Sequence, residues 1–453
     1  MKLTILGAAG VRTPLMIKAI ARRQDSIDID ELDLMDIDGE HLELMYSLCR
    51  QEQDKFKFKV VKTTDAEIAL KNADFVITTF RVGGIESRAV DERIPLNLGV
   101  IGQETTGPGG FSMAIRSLPV LWAYVEKMRR LCPDAWLINF ANPAGLMAES
   151  LQNICGWEHS VGICDGPISP LPIISSIIKV PQKEIFMDYF GLNHLGWTRA
   201  ITYNHHDYLP ELIQMLKAVG GVPGLHINLD TIEALKMLPN EYLYYYYHSR
   251  EAVQNILKAG VSRGEQLTAL NSQLFQNLTQ LRKAEEPEKM QACYQAYLAE
   301  RSSTYMSRES GEAGSNQVEQ LMDLAEFTEG YTGVALDLIE GLQGKNPHQM
   351  ILNIPNQGAI QGMEPKDVVE IPAFVSRNSI RPLAVGQIPD HCLGLMKQIK
   401  NYEKLTISAA KERSYAKALQ ALTLHPLVSD YALAKQILNQ YIEKQAAWYP
   451  ELH

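Results

Sequence analysis

Cys164 and His194 carry a thiol and an imidazole, two of the side chains that proteins most often give to a divalent metal. Asp165 follows the cysteine, and His194 closes the run Gly191-Leu192-Asn193-His194. Such a pair can share one ion, with substrate oxygens filling its other positions. The two stand far apart in the chain, so spacing alone does not join them. The competing roles are a small buried cysteine and a hydrogen-bonded structural histidine.

Three further segments carry groups able to do chemistry. Gly102-Gln103-Glu104-Thr105-Thr106-Gly107-Pro108-Gly109-Gly110-Phe111 is rich in glycine and polar residues and holds one carboxylate, Glu104. A packed core has little use for such a stretch. It reads as a pocket loop, with a long surface loop as the alternative. Asn142-Pro143-Ala144-Gly145 follows a strand-like run, where an α/β sheet binds ligands; Asn142 is equally suited to capping the next helix. Asn240-Glu241-Tyr242-Leu243-Tyr244-Tyr245-Tyr246-Tyr247-His248 is read as helical, with most tyrosines packing. One of them becomes a base if nearby cations or a metal lower its pKa.

Gly7-Ala8-Ala9-Gly10 lies between an apolar run and a helical segment. Glycines there let the backbone approach a pyrophosphate, and the helix N-terminus attracts its charge. The turn is short of the full G-x-G-x-x-G fingerprint, and a plain strand-to-helix turn is the alternative. Asp36 ends the next strand-like run, where a carboxylate accepts ribose hydroxyls and repels the 2′-phosphate of NADP. Asp38 is the rival candidate, or the start of the following helix.

These groups need a scaffold, and the first half of the chain supplies its pattern. Strands are expected at residues 3–6, 31–35, 57–62, 75–79, 136–139 and 160–164, so that Cys164 ends the last. Helices are expected at 13–23, 41–51 and 112–131, with Thr13 capping the first and Pro14 in its first turn. This βαβα series implies a Rossmann-type, doubly wound parallel sheet over residues 1–190. From about residue 191 the pattern becomes mostly helical, at 210–218, 235–248, 266–298 and 400–449, with a loop at 302–316. Residues 191–453 are expected to form a second, mixed α/β domain for substrate, metal and oligomerisation, on a lactate/malate dehydrogenase-like core.

A net charge of -10 argues against a nucleic-acid partner. The six cysteines fit neither a disulfide scaffold nor a zinc ribbon, and are expected to stay reduced. The apolar run after Met1-Lys2 ends at Gly7, too short for a signal peptide, and no run reaches membrane-spanning length. A cytoplasmic protein with no membrane partner is expected.

Taken together and in order, the motifs resemble glycoside hydrolase family 4, the NAD- and metal-dependent glycosidases. They are the glycine turn with Thr13-Pro14, Arg81-Val82-Gly83-Gly84, Arg88 with Asp91-Glu92-Arg93-Ile94-Pro95-Leu96, the Glu104 loop, Asn142-Pro143-Ala144-Gly145, Cys164, the His194 run, Tyr242, Arg263 and Asn353-Ile354-Pro355-Asn356-Gln357-Gly358. The resemblance covers nearly the whole chain and is nearest to the 6-phospho-glucosidases. It implies hydrolysis of 6-phospho-glucosides, β-linked first and α-linked second, outside the two-carboxylate scheme. NAD would oxidise sugar carbon 3, a base would take the carbon 2 proton, the leaving group would depart from carbon 1, and water addition and reduction would follow. It further implies Cys164 and His194 as ligands of Mn²⁺, Tyr242 as the base and Asp165 as the general acid. Gly7, Ala8, Gly10 and Asp36 would hold NAD. Arg88, Glu104, Asn142 and Arg263 would bind a phosphorylated or plain glycoside, in a homodimer or homotetramer.

Three places depart from the family pattern. The usual Gly-Gly-Gly-Ser or Gly-Gly-Ser-Ser turn reads Ala8-Ala9-Gly10. Asp165 stands where many β-acting members have Asn. Residues 301–313 lack the Gly-Gly-x-x-Tyr-Ser of β-acting members. The alternative function is a malate- or lactate-type NAD dehydrogenase. Cys164, His194 and roughly 150 residues beyond a typical two-domain enzyme argue against it.

Overall fold

A computed structural model describes residues 1–219, 228–304, 306, 309 and 330–453. Most of the 302–316 loop expectation falls outside these residues. The described strands in chain order are β1 (Lys2–Leu6), β2 (Glu31–Met35), β3 (Lys59–Thr63), β4 (Phe75–Thr78), β5 (Trp136–Asn139), β6 (Ser160–Gly162) and β7 (Phe186–Leu192). After them come β8 (Leu195–Tyr203), β9 (His206–Asp207), β10 (Leu238–Pro239), β11 (His348–Pro355), β12 (Val368–Ser376) and β13 (Ser379–Pro382).

Short apolar runs become the central strands because both faces are covered. In β1, β2, β4 and β5 nearly every residue is buried. Six strands run parallel in the order β3-β2-β1-β4-β5-β6, the doubly wound dinucleotide-binding order. The sheet continues past β6 through β11, β12, β7, β8 and β10, every one of these pairings antiparallel. The fold class is the expected one, but the second half is less helical than its pattern suggested. Its strands extend the same sheet and place the β7–β8 turn on the Cys164 side.

Local chemistry explains other differences. The first helix is Thr13–Arg22, and its N-cap is Arg12 with no side-chain cap, so Thr13 is already inside it. Cys164 lies two residues beyond β6 instead of ending it. The expected 266–298 helix is two, Arg263–Lys283 and Pro287–Ser303, because Pro287 suits the start of a helix and not its interior. The expected 235–248 helix is instead β10, a 3₁₀ turn (Glu241–Leu243) and one helical turn (Tyr244–Tyr247). Asn240 accepts from the Tyr242 amide and starts the turn there.

Two buried ion pairs fix helices around the sheet. Arg116 grips Asp91 through two bonds of 2.8 and 2.7 Å, joining the helices Pro108–Leu131 and Gly84–Asn97. Lys400, on the helix Asp390–Glu412, lies 2.9 Å from Glu149 and 2.5 Å from Glu403. Glu149 belongs to the helix Ala144–Asn153, so this pair anchors the segment that presents Asn142.

Candidate active site

The glycine turn is shaped by a close approach. Gly7 has φ +100, and a Cβ there would fall 2.4 Å from the Phe80 nitrogen. Only glycine meets both conditions. Asp36 ties the turn to β2: one carboxylate oxygen accepts from the Ala9 amide at 2.9 Å, the other from the Asp38 amide at 3.1 Å. Asp38 caps the helix Gly39–Ser47 by accepting from the His41 amide, so it takes the structural role foreseen for it.

Gly7, Gly10 and Asp36 line one end of a cleft of about 2520 Å³. Arg88, Glu104, Asn142, Asp165, Tyr242 and Arg263 line the same cleft. Ala8 does not reach it; the residue is fully buried and its amide donates to the Met35 carbonyl at 3.0 Å. Of the four residues expected to hold the cofactor, Ala8 is the one that does not line the cleft.

Cys164 and His194 sit just behind the cleft wall, 6% and 5% exposed. His194 occupies the tight turn between β7 and β8 with φ +61, a left-handed conformation unusual for a residue with a side chain. Its ring stacks on Tyr242 with centroids 3.5 Å apart and planes within 4°. Burial holds the imidazole near pKa 3 despite the nearby Glu104, so it is neutral. Its Nδ1 is buried with no hydrogen-bond partner among the described residues. Cys164 lies close by. A Cβ built on Gly166 would lie 3.5 Å from the Cys164 sulfur and 3.3 Å from Tyr242 Cε2. Thiol, phenol and imidazole thus converge on one corner, and a lone pair left unmatched in a buried site is what a metal ligand offers. Among the described residues no group of three or more His, Cys, Asp or Glu is placed to hold a metal ion.

Around this corner the charges are arranged in pairs. Burial alone would raise the Glu104 pKa, yet Arg88 and then Arg81 bring it to about 2. Arg88 lies 2.9 Å from Glu104 and donates to Glu92 at 2.8 Å, while Arg81 also pairs with Glu104. Asp165 behaves oppositely: burial lifts it to about 6, with Arg12 opposing. It holds its proton up to about pH 6, well above an ordinary aspartate. Asn142 is not a helix cap, since Pro143 holds that position, so its side chain is left for the cleft. Arg263 opens the helix Arg263–Lys283, donating to Thr304 at 2.6 Å and to the Arg301 carbonyl at 2.6 Å.

Sequence reasoning assigned no role to Arg12, Arg301, Asn193 or Glu370. Arg12 and Arg301 line the cleft. Burial lowers the Arg301 pKa, and Arg12 and Arg88 lower it further. Several guanidinium groups sharing one pocket call for an anion. Arg81, Asn193 and Asn353 stood inside quoted motifs, but nothing local in the sequence marks Glu370.

A Rossmann-type sheet with a cleft at its carboxyl edge defines a dinucleotide-binding α/β protein. Lactate dehydrogenase from Eimeria maxima shares that fold at 13% identity, TM-score 0.51, over 91% of this chain and 95% of the other. The family 4 glycosyl hydrolase pattern matches residues 2–180, and that of the family 4 C-terminal domain matches 189–428. The chain belongs to glycoside hydrolase family 4.

Its similarity to relatives is distributed over their full length. The 6-phospho-beta-glucosidase of Thermotoga maritima is 28% identical over 444 residues, 98% of each chain. A structure of that enzyme with manganese, NAD⁺ and glucose-6-phosphate superposes with TM-score 0.83 at 28% identity, covering 100% of both chains. The maltose-6'-phosphate glucosidase of Clostridium acetobutylicum is 29% identical over 470 residues, 99% of this chain and 98% of the other. A 6-phospho-alpha-glucosidase from gut microorganisms, in complex with NAD and Mn²⁺, gives TM-score 0.83 at 28% identity over 100% of this chain and 99% of the other.

Proposed function

We propose that this chain hydrolyses 6-phospho-glucosides with NAD and a divalent metal, Mn²⁺ foremost. The observation that carries this reading is the buried His194 Nδ1, without a partner among the described residues, set with Cys164 just behind Tyr242 in the wall of a cleft that also holds the glycine turn. Relatives of both anomeric specificities, solved with NAD, manganese and glucose-6-phosphate, support it over the dehydrogenase alternative.

Gly7, Gly10 and Asp36 would hold NAD, and Cys164 and His194 the metal; when bound, these would supply hydride exchange at sugar carbon 3 and polarisation of the sugar oxygens. The protein's own groups do the rest. Tyr242 removes the proton from carbon 2. Asp165, with its proton retained to about pH 6, supplies it to the departing oxygen. Glu104 stays ionised between Arg81 and Arg88 and orients them, and Arg88 and Asn142 hold sugar hydroxyls. Arg263, with Arg12 and Arg301 near it in the cleft, favours the 6-phosphate.

β-linked substrates are proposed first, from the likeness of the Tyr242 and Asn353 segments to β-acting members. The cleft-facing, proton-retaining Asp165 favours a second reading in which α-linked substrates are also cleaved. The experiment is turnover of p-nitrophenyl glycosides, α and β, gluco and galacto, with and without a 6-phosphate, under reducing conditions with NAD and Mn²⁺. Release from 6-phosphorylated glucosides only is expected. Turnover of plain glycosides at equal rates would remove the phosphate requirement, and net NADH accumulation would restore the dehydrogenase.

Asp36 gives a separate prediction. Asp36→Ala should weaken NAD binding, since both the ribose contact and the Ala9 anchor are lost, and should relax discrimination against NADP. Unchanged affinity in a fluorescence titration would assign the ribose to another residue.

All six cysteines are free and the proposed site contains a thiol, which suits a reducing cytoplasm. Among the described residues no helix is long and apolar enough to cross a membrane. We propose a homodimer or homotetramer; exposed Phe374, Tyr431 and Trp448 offer apolar surface for it.

A further inference from the structure

Cys164 follows β6, and His194 turns from β7 into β8, yet two strands, β11 and β12, lie between β6 and β7 in the sheet. Neighbouring strands stand about 4.8 Å apart, so the two strand ends are separated by roughly three such steps. Ligands of one ion must come much closer, at roughly 2.0–2.3 Å from it. Something between them has to draw the β7–β8 turn towards Cys164 and hold it there.

One level of the sheet supplies it. Gly162 of β6 pairs with Asn353 of β11, Asn353 with Glu370 of β12, and Glu370 with Gly191 of β7. The row has glycine at both ends and its two long polar side chains in the middle. A Cβ on Gly162 would fall 2.9 Å from that of Asn353, so the row closes only with glycine there. Glu370 is 1% exposed and accepts three hydrogen bonds: from Asn353 Nδ2 at 2.9 Å, Asn193 Nδ2 at 3.1 Å and the Tyr189 hydroxyl at 2.8 Å. Asn193 is the residue before His194, and its side chain lies beside the Cys164 sulfur, where it favours the thiolate against the burial that raises the thiol pKa. The left-handed His194 backbone is a conformation that persists only when neighbours impose it. A plain core position has no reason to bury a carboxylate, because an apolar residue would fill the space without desolvating a charge.

We propose that Glu370, braced by Asn353, is a positioning residue that sets the spacing and orientation of Cys164 and His194 through Asn193. The inference rests on the reading of those two residues as metal ligands. It assigns Glu370 no contact with the metal or the sugar.

The test is Mn²⁺ binding, read from the electron paramagnetic resonance of the free ion, beside NAD binding read by fluorescence. Glu370→Ala and Asn193→Ala should each weaken Mn²⁺ binding by about 10–100-fold, the usual cost of removing the outer partner of a ligand. NAD affinity should stay within about twofold, because the glycine turn lies across the sheet from the row. Glutamine can accept from both asparagines and donate to the Tyr189 oxygen. Glu370→Gln should therefore recover most of the Mn²⁺ affinity. Wild-type Mn²⁺ affinity in both alanine variants would overturn the proposal. So would an equal loss of NAD binding, or a glutamine variant as weak as alanine. Should Glu370→Ala fail to fold, Asn193→Ala, at a partly exposed turn, carries the test. A wild-type protein that binds no Mn²⁺ would instead reject the metal reading itself.

Discussion

Cys164→Ser should leave NAD affinity within about twofold of wild type while turnover falls by more than the ~10–100-fold that follows loss of a ligand's outer partner. Serine fills nearly the same volume in this buried position, so packing around Gly166 is preserved. What changes is the donor. A thiolate is a strong, polarizable ligand, and a serine hydroxyl at neutral pH is a weak one. Burial raises the Cys164 thiol well above its usual pKa, as for any sulfur enclosed by protein, and Glu370 and Asp165 raise it further. The group thus has no use as a free nucleophile, and a nearby cation is what would make its anion tolerable. The glycine turn and Asp36 lie on other strands and are untouched. The measurement is kcat and KM on a 6-phospho-glucoside across a Mn²⁺ series, with NAD binding as control. Full turnover on adding Mn²⁺ to the variant would place Cys164 outside the site.

The same residues show what a sequence can and cannot disclose. β1 and β4 were legible as short apolar runs that stop at a glycine or threonine, and β2 as an alternating run that stops at Asp36. The Asp36 carboxylate follows from that frame by counting. β7, β11 and β12 were not legible. Asp188, Asn353 and Glu370 interrupt their apolar patterns with polar groups, and Asn353 and Glu370 hydrogen-bond each other where apolar packing would be expected. Their pairing is also non-local: Glu370 reaches Tyr189 and Asn193 across 181 and 177 residues. No window of sequence contains such a contact. The tyrosine run failed for another reason. Its composition suits a helix, but Pro239 pairs in β10 and Asn240 binds the Tyr242 amide, so the chain turns sharply there. That turn is what lays the Tyr242 ring flat on His194.

Tyr242→Phe should slow turnover by about 10²–10⁴-fold, the usual worth of a positioned proton-transfer group. The substitution is mild for the fold, because the ring-on-ring contact with His194 at 3.5 Å is made by the face of the aromatic ring, which phenylalanine keeps. Only the hydroxyl is removed from a cleft-lining position. Its neighbours are poor substitutes. Tyr244 donates its hydroxyl to the Glu309 carbonyl at 3.2 Å. Tyr245 is 3% exposed, and burial with the nearby carboxylates Glu309, Glu92 and Glu241 drives its pKa well up. A second observable separates the mechanism from the residue. A base that lifts the carbon 2 proton holds it on a phenol that exchanges with solvent, so wild-type turnover in D₂O should leave deuterium at carbon 2 of the released sugar. A hydrolase with two carboxylates never breaks that bond. Proton NMR of the product reads the outcome directly. Active hydrolysis with carbon 2 fully protonated would weigh against elimination, unless the phenol is shielded from solvent. The structure bears on that condition, because Tyr242 lines the open cleft while His194 lies buried beneath it. Deuterium at carbon 2 combined with undiminished turnover of Tyr242→Phe would keep the elimination and assign its base to another group.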